Sequence, residues 1–178
     1  MNRKRCLFLL TVFIGISIFV LPDYGECRPG DREKDKSYYK QEGLKHFKKG
    51  FYELTPRGKK DEAVKHYQLA VQAFKQALDI REDKEIRRNL AKIYYVQEKY
   101  AMAASEYEKA SKLDPYDIEN YVELALSYMY LERYNEAIQT LETARAWTVD
   151  EDIIERLDSY IETARNVKDG KEGPGNGF

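Results

Sequence analysis

Between about residues 37 and 168, apolar residues return every three or four positions, which is the spacing of one face of an α-helix. Short polar turns at 98–99 and 132–133 interrupt these apolar stretches. The segment 114–117, which contains a proline, is a longer break of the kind that ends one helix and begins another. The pattern therefore predicts an all-α body built from consecutive helix pairs.

The same residue types also recur at a step of 34 residues. Ala91, for example, returns as Ala125, and Tyr94 returns as Tyr128. In each copy, two alanines seven residues apart lie on one helical face, where their small side chains let neighbouring helices approach closely. The positions that this step assigns to packing are Leu90, Ala91, Tyr94, Ala103, Tyr107, Ala110, Leu124, Ala125, Tyr128, Ala137, Leu141 and Ala144.

One copy carries, in order, Leu90, Ala91, Tyr94, Tyr100, Ala103, Tyr107, Ala110 and Pro115. This series resembles the repeat of the tetratricopeptide family, and the next copy departs from it only at Leu141 and Val149, which take an aromatic and a proline place. The resemblance implies a right-handed solenoid of about three helix pairs with a concave side formed by the first helix of each pair. It also implies a non-enzymatic protein that binds another protein or a peptide.

We expect the repeats to occupy residues 37–168 and to end with a capping helix, because Ile153, Leu157 and Ile161 form one apolar face there. The Gly-rich segment 169–178 has no means of forming regular structure and is predicted to be disordered. The predicted boundaries are 37–82, 84–117 and 118–151 for the three helix pairs and 150–168 for the capping helix.

The first pair departs from the repeat in length. From Gly43 to Ala70 there are 27 residues, whereas from Ala91 to Ala103 there are 12. We expect longer helices joined by a loop at about 55–60. The extension could form a binding rim, or it could be a longer helix that covers the N-terminal edge of the stack.

A partner-binding groove is predicted on the first helices, because these helices have residues left over once the packing positions are assigned. Its floor would run from basic residues to apolar ones, which suits an amphipathic helix or an extended peptide with an acidic end. The candidate groove residues are Lys40, Phe47, Arg88, Asn89, Lys92, Tyr95, Val122, Leu126, Met129 and Tyr130.

The N-terminus has the form of an export signal, because a basic head at residues 3–5 precedes an uncharged, strongly apolar run up to Leu21. Three outcomes stay open for residues 1–27: cleavage by signal peptidase, lipid attachment at Cys27, or retention as a membrane anchor. Residues 28–36 would then be a linker. We therefore predict an exported protein of the periplasm or cell envelope that is membrane-anchored or secreted.

Charge is distributed unevenly along the chain. Residues 28–105 contain 19 lysines and arginines against 12 acidic residues, whereas residues 106–166 contain 6 against 15. This asymmetry reflects either two solvated surfaces that differ in charge, or a basic end suited to an anionic membrane and an acidic end that faces a partner.

Chemistry-bearing motifs are missing from the sequence. His46 and His66 each stand alone without spaced metal ligands, and His46 falls where the first pair should carry an aromatic residue, which favours a packing role. No phosphate-binding loop, nucleophile elbow or paired carboxylates are apparent, so we predict no enzymatic activity, no metal and no cofactor. Nucleic acid is an unfavoured partner, because the tyrosines fall on packing positions and export is predicted.

Two hypotheses for function follow. The first is a protein-interaction module or scaffold in an extracytoplasmic complex, binding a peptide or helix in the groove. The alternative is a pilotin-like or outer-membrane assembly lipoprotein that escorts a secretion or pilus subunit. In both cases the N-terminal segment would contact the membrane, and the chain could also self-associate.

Overall fold

The computed structural model describes residues 35–171, which form seven α-helices and no strand. The predictions for the signal or anchor, for Cys27 and for residues 172–178 of the tail lie outside this range. The predicted all-α fold of helix pairs is confirmed. The helices are α1 (Lys36–Lys48), α2 (Lys60–Ile80), α3 (Lys84–Val96), α4 (Tyr100–Leu113), α5 (Ile118–Tyr130), α6 (Tyr134–Ala146) and α7 (Glu151–Lys168), and a π-helical turn (Lys49–Leu54) continues α1.

The stack is held together by contacts within and between pairs. Helices α1 and α2, α3 and α4, and α5 and α6 pack against each other, while α4 packs on α5 and α6 packs on α7. All twelve packing positions taken from the 34-residue step are buried, with at most 7% of any of them exposed. No helix of residues 35–171 is long and apolar enough to cross a membrane.

The three turns inside the pairs have the same backbone geometry. Gly58, Glu98 and Glu132 lie in the left-handed region with φ of 70°, 58° and 58°. In each turn, the amide that follows this residue donates a hydrogen bond to the carbonyl five residues earlier, as in a Schellman-type helix end. The three bonds run from Lys59 N to Leu54 O (3.1 Å), from Lys99 N to Tyr94 O (2.9 Å) and from Arg133 N to Tyr128 O (2.9 Å).

The positions of these turns correct the assignment of His46 to the aromatic place of the first pair. Because Leu54 accepts the same bond as Tyr94 and Tyr128, Leu54 takes the aromatic place of the first pair at its turn end, and His46 does not. Leu54 is buried, as its position in the register requires.

Helix α2 is longer than α4 by one extra packing cycle. It has 21 residues against 14, a difference of about 10 Å at 1.5 Å per residue. Tyr67 precedes Tyr107 by 40 residues and Phe74 precedes it by 33, so two equivalent rings stand seven residues apart on one face of α2. Both rings are buried. Seven residues are close to two helical turns, so the extension keeps the same face inward.

The π-helical turn compensates for a difference of one residue between the insertion in the first helix and the insertion in α2. From Leu54 to Tyr94 there are 40 residues, but from Gly43 to Ala91 there are 48, so α1 gains eight residues where α2 gains seven. The wider turn at 49–54 absorbs the additional residue. Gly43 then faces Phe74 so closely that an added Cβ would lie 2.4 Å from the ring, and only glycine fits there.

Candidate partner-binding surfaces

Four of the ten predicted groove residues belong to the core. Phe47, Asn89, Val122 and Met129 are buried, which corrects the prediction that they line an open groove. Asn89, Val122 and Met129 lie on α3 and α5, first helices that contact both their own partner helix and the preceding pair. Apolar side chains on the side thought to be free are therefore covered as well. Phe47 lies on α1 at the end of the stack, where its ring packs against Phe51 and Tyr52.

The three cationic groove residues form ion pairs with the next helix pair. Lys40 Nζ lies 2.6 Å from Glu85 Oε2, Arg88 Nη1 lies 2.9 Å from Asp117 Oδ2, and Lys92 Nζ lies 3.9 Å from Glu123 Oε1. The charge asymmetry of the sequence thus places cations of one pair opposite carboxylates of the next. The predicted basic floor is largely neutralised by the protein itself.

Asp83, at the start of α3, is a further carboxylate that meets cations of the first pair. Its Oδ2 lies 2.7 Å from Lys36 Nζ and 3.3 Å from Lys40 Nζ, and its Oδ1 caps α3 by accepting from the amides of Glu85 and Ile86. Burial raises the pKa of this carboxyl, but the bonds from Lys36, Ile86 N and Lys40 outweigh burial and lower the pKa from 3.8 to about 2. Asp83 therefore fastens the first pair to the second.

Replacing Asp83 by Asn should lower the free energy of unfolding by about 1–2 kcal/mol at neutral pH, because Asn keeps the cap but loses the charge. Since the folded pKa is depressed, this contribution is present above about pH 4 and disappears as the pH falls through about 2. Urea unfolding of both proteins across this range measures it. Asp79→Asn, at an exposed site on α2, should change the free energy of unfolding by less than about 0.5 kcal/mol. A difference for Asp83→Asn that stays constant with pH would contradict the assignment.

An aromatic cluster lies at the turn ends of α3, α4 and α5, and one of its three rings is exposed. The rings of Tyr100 and Tyr130 stack in parallel with centroids 4.5 Å apart, and Tyr95 meets both edge-on at 5.4 and 5.7 Å. Burial, followed by the hydrogen bond with Tyr130, raises the pKa of Tyr95. Half of Tyr130 is exposed, while Leu126 is half-buried. Of the predicted groove, Tyr130 is the residue that presents most free apolar surface.

A cleft of about 740 Å³ lies beside the overhanging first pair. Its long wall is the N-terminal half and middle of α2, and its short wall is the end of α3 with the turn that follows. It exists because α2 runs on past the point where α3 and α4 turn back. The lining residues are Thr55, Lys60, Ala63, Val64, Tyr67, Gln68, Val71, Gln72, Lys75, Tyr94, Val96, Gln97, Glu98 and Lys99.

The cleft combines an apolar floor with a basic rim. Ala63 and Tyr67 are buried at its base, and the Tyr67 hydroxyl is 2.7 Å from Thr55 Oγ1. Val64 and Val96 line it while remaining 41% and 38% exposed. Three of the lining residues are lysines and one is a glutamate.

The two histidines are neighbours in the fold, which corrects their description as isolated. His46 Nδ1 and His66 Nδ1 are 2.9 Å apart across α1 and α2, so one ring donates and the other accepts. Burial, together with the neighbouring His66, lowers the pKa of His46. Within residues 35–171, no group of three or more His, Cys, Asp or Glu residues could hold a metal ion.

A third surface lies where one pair passes to the next. Tyr116 and Trp147 meet edge-to-face with centroids 5.2 Å apart, and both are exposed, as is Val149. Sequence reasoning assigned no role to this aromatic pair.

Two sequence signals could have revealed more of these features. Asp83 and Asp117 are separated by the 34-residue step, and each receives a cation from the preceding first helix. The long interval in the first pair predicts an extension, and the cleft lies beside it.

Comparison with known proteins agrees with this geometry. Residues 87–117 and 118–144 match the sequence model of the tetratricopeptide repeat. Among solved structures, the C-terminal TPR-containing domain of a Plasmodium falciparum protein named as a putative FK506-binding protein aligns with a TM-score of 0.50 at 20% identity, covering 77% of this chain and 97% of that domain. This likeness concerns the fold alone, and no curated protein matches the sequence. Residues 87–144 are thus tetratricopeptide repeats, and the described helices together have the fold of a tetratricopeptide-repeat domain.

Proposed function

We propose that this chain is a non-enzymatic scaffold that binds a segment of another protein. The observation that carries the proposal is the cleft between α2 and the end of α3. Its volume of about 740 Å³ lies within the range of about 300–1,000 Å³ that is typical of ligand-binding pockets. Helical repeats present such surfaces to peptides without rearranging, because their packing fixes the backbone.

The cleft is a better candidate than the middle of the first-helix face. On that face, Lys40, Arg88 and Lys92 are ion-paired with the following helix pair, so a ligand would have to break these contacts. In the cleft, apolar side chains remain exposed. The Tyr95–Tyr100–Tyr130 cluster at the turn ends of α3, α4 and α5 is a further candidate surface.

A photoreactive amino acid at Val64 should form a discrete covalent adduct with a partner protein in cells that produce the full chain. The matched control is the same amino acid at Leu69, which is similarly exposed on α2 but does not line the cleft. Mass spectrometry of the adducts identifies the partner and its contacting segment. The same amino acid at Tyr130 and at Trp147 probes the other two surfaces. Adducts from these two positions alone would move the site there, and no adduct from Val64, Tyr130 or Trp147 would refute a scaffold role.

We further propose that the scaffold acts outside the cytoplasm, in a cell-envelope complex. The basic head and the apolar run within residues 1–27 support this location. Fractionation of the same cells tests it, and fatty-acid labelling of wild type against Cys27→Ser tests lipid attachment. Labelling that depends on Cys27 would favour the pilotin-like escort, whereas its absence would favour a cleaved or anchored scaffold.

A further inference from the structure

The apolar part of the cleft is shaped for side chains from outside. Val64 on α2 and Val96 at the end of α3 both line the cavity, and both keep more than a third of their surface exposed. Below them, Ala63 and Tyr67 close the base. Side chains that enter from a ligand would remove the two valines from water, which is the main favourable contribution to such binding.

The rim of the cleft carries positive charge that no described carboxylate neutralises. Lys60 and Lys75 form no ion pair with any described residue, and Lys99 donates to the amide oxygen of Gln97 at 2.9 Å. Glu98 is the only acidic residue in the lining. This differs from Lys40, Arg88 and Lys92 on the first helices, each of which meets a carboxylate. Excess charge of one sign around a cleft favours a ligand of the opposite sign.

Amide groups line the cleft together with the lysines and the apolar side chains. Gln68 and Gln72 on α2 and Gln97 in the turn line the same cavity. Each glutamine side chain can donate and accept hydrogen bonds, as a peptide backbone requires. The cleft thus offers apolar contact, backbone partners and positive charge together.

We propose that the cleft binds an acidic peptide segment of a partner protein that inserts two large apolar side chains between Val64 and Val96. The apolar pair enters the floor, and Asp or Glu residues beside it meet Lys60, Lys75 and Lys99. The proposal rests on the scaffold function proposed above and specifies the chemistry of the segment that the scaffold recognises.

Fluorescence anisotropy with the full chain and three labelled peptides tests this chemistry. The first peptide has two leucines four residues apart among glutamates, the second has the same leucines among lysines, and the third has the glutamates but serines in place of leucines. We expect the first peptide to bind at least about tenfold more tightly than either of the others, and its affinity to fall with added salt. Equal binding of the lysine peptide would overturn the charge assignment.

Substitutions locate the binding in the cleft. Val64→Asp should weaken the first peptide by about tenfold or more, whereas Leu69→Asp on the same helix should leave its affinity unchanged. Lys60→Glu with Lys75→Glu should weaken the first peptide and strengthen the lysine peptide, while circular dichroism shows that these variants remain folded. Binding that is indifferent to Val64→Asp would overturn the proposed site.

The alternative ligand of the cleft is a second copy of this chain. Sedimentation of wild type and Val64→Asp tests this alternative. Self-association that is lost in Val64→Asp would overturn the proposal of a separate acidic partner.

The proposed ligand chemistry and the proposed scaffold function are contradicted by different results. A Val64 adduct with a partner segment that is not acidic would refute the chemistry alone, whereas an absence of adducts at every position would refute the scaffold function itself.

Discussion

Tyr107→Ala should lower the free energy of unfolding by about 3–5 kcal/mol, the largest loss of stability that we expect from any of the proposed substitutions. Tyr107 is fully buried in α4, and its hydroxyl donates to Glu123 Oε2 at 3.3 Å. Truncation removes the ring contacts and leaves a cavity between helix pairs that the surrounding backbone cannot close. Since domains are commonly stable by only about 5–15 kcal/mol, this loss would remove a large share of the total stability.

Urea denaturation of three variants separates the contributions of this side chain. Tyr107→Phe keeps the ring and loses the hydrogen bond to Glu123, so it should cost only about 1 kcal/mol. Tyr116→Ala makes the same truncation at a residue that is 71% exposed, and should cost only about 0.5–1.5 kcal/mol through loss of the ring contact with Trp147. A loss for Tyr107→Ala no greater than that for Tyr116→Ala would show that the repeat register is wrong.

Ala103→Leu should destabilise the protein by about 1–3 kcal/mol through overpacking. Ala103 is fully buried at the position where α4 faces its neighbours, and leucine adds three carbon atoms where no space remains. The neighbouring side chains would have to leave their preferred rotamers or the helices would have to separate.

The matched control makes the same change on the same helix. Ala101 is exposed on α4, so Ala101→Leu should alter stability by less than about 0.5 kcal/mol. Both alanines have the same helix propensity, and any difference between the variants therefore reports packing. Thermal unfolding followed by circular dichroism measures both, and equal midpoints would contradict the assigned helical face.

Much of the architecture could be predicted from the sequence because repeat packing imposes residue types at fixed intervals. Small residues such as Ala91 and Ala103 are needed wherever helices approach closely, and a large residue such as Tyr107 fills the space between them. These needs recur in every pair, so they appear as the 34-residue step and the all-α fold follows from it.

The predicted groove shows what such a pattern leaves undecided. Met129 and Tyr130 are adjacent apolar residues on α5, yet the first is buried and the second is half exposed. Arg88 and Lys92 look like free cations in the sequence, but carboxylates of the next pair stand opposite them. Which residues meet across pairs depends on helix crossing and on side-chain reach, neither of which the periodicity of one helix contains.

By itself, the sequence determined the helix pairs, their small-residue contacts and the unusual length of the first pair. Only the tertiary structure decided where that extra length leaves surface uncovered, because a cleft depends on the difference between neighbouring helices and not on either one. The side-by-side placement of α2 and the shorter α3 leaves Val64 and Val96 exposed in one cavity. The same placement leaves Lys60 and Lys75 without an ion pair among the described residues, while successive first helices bring the other cations within reach of carboxylates.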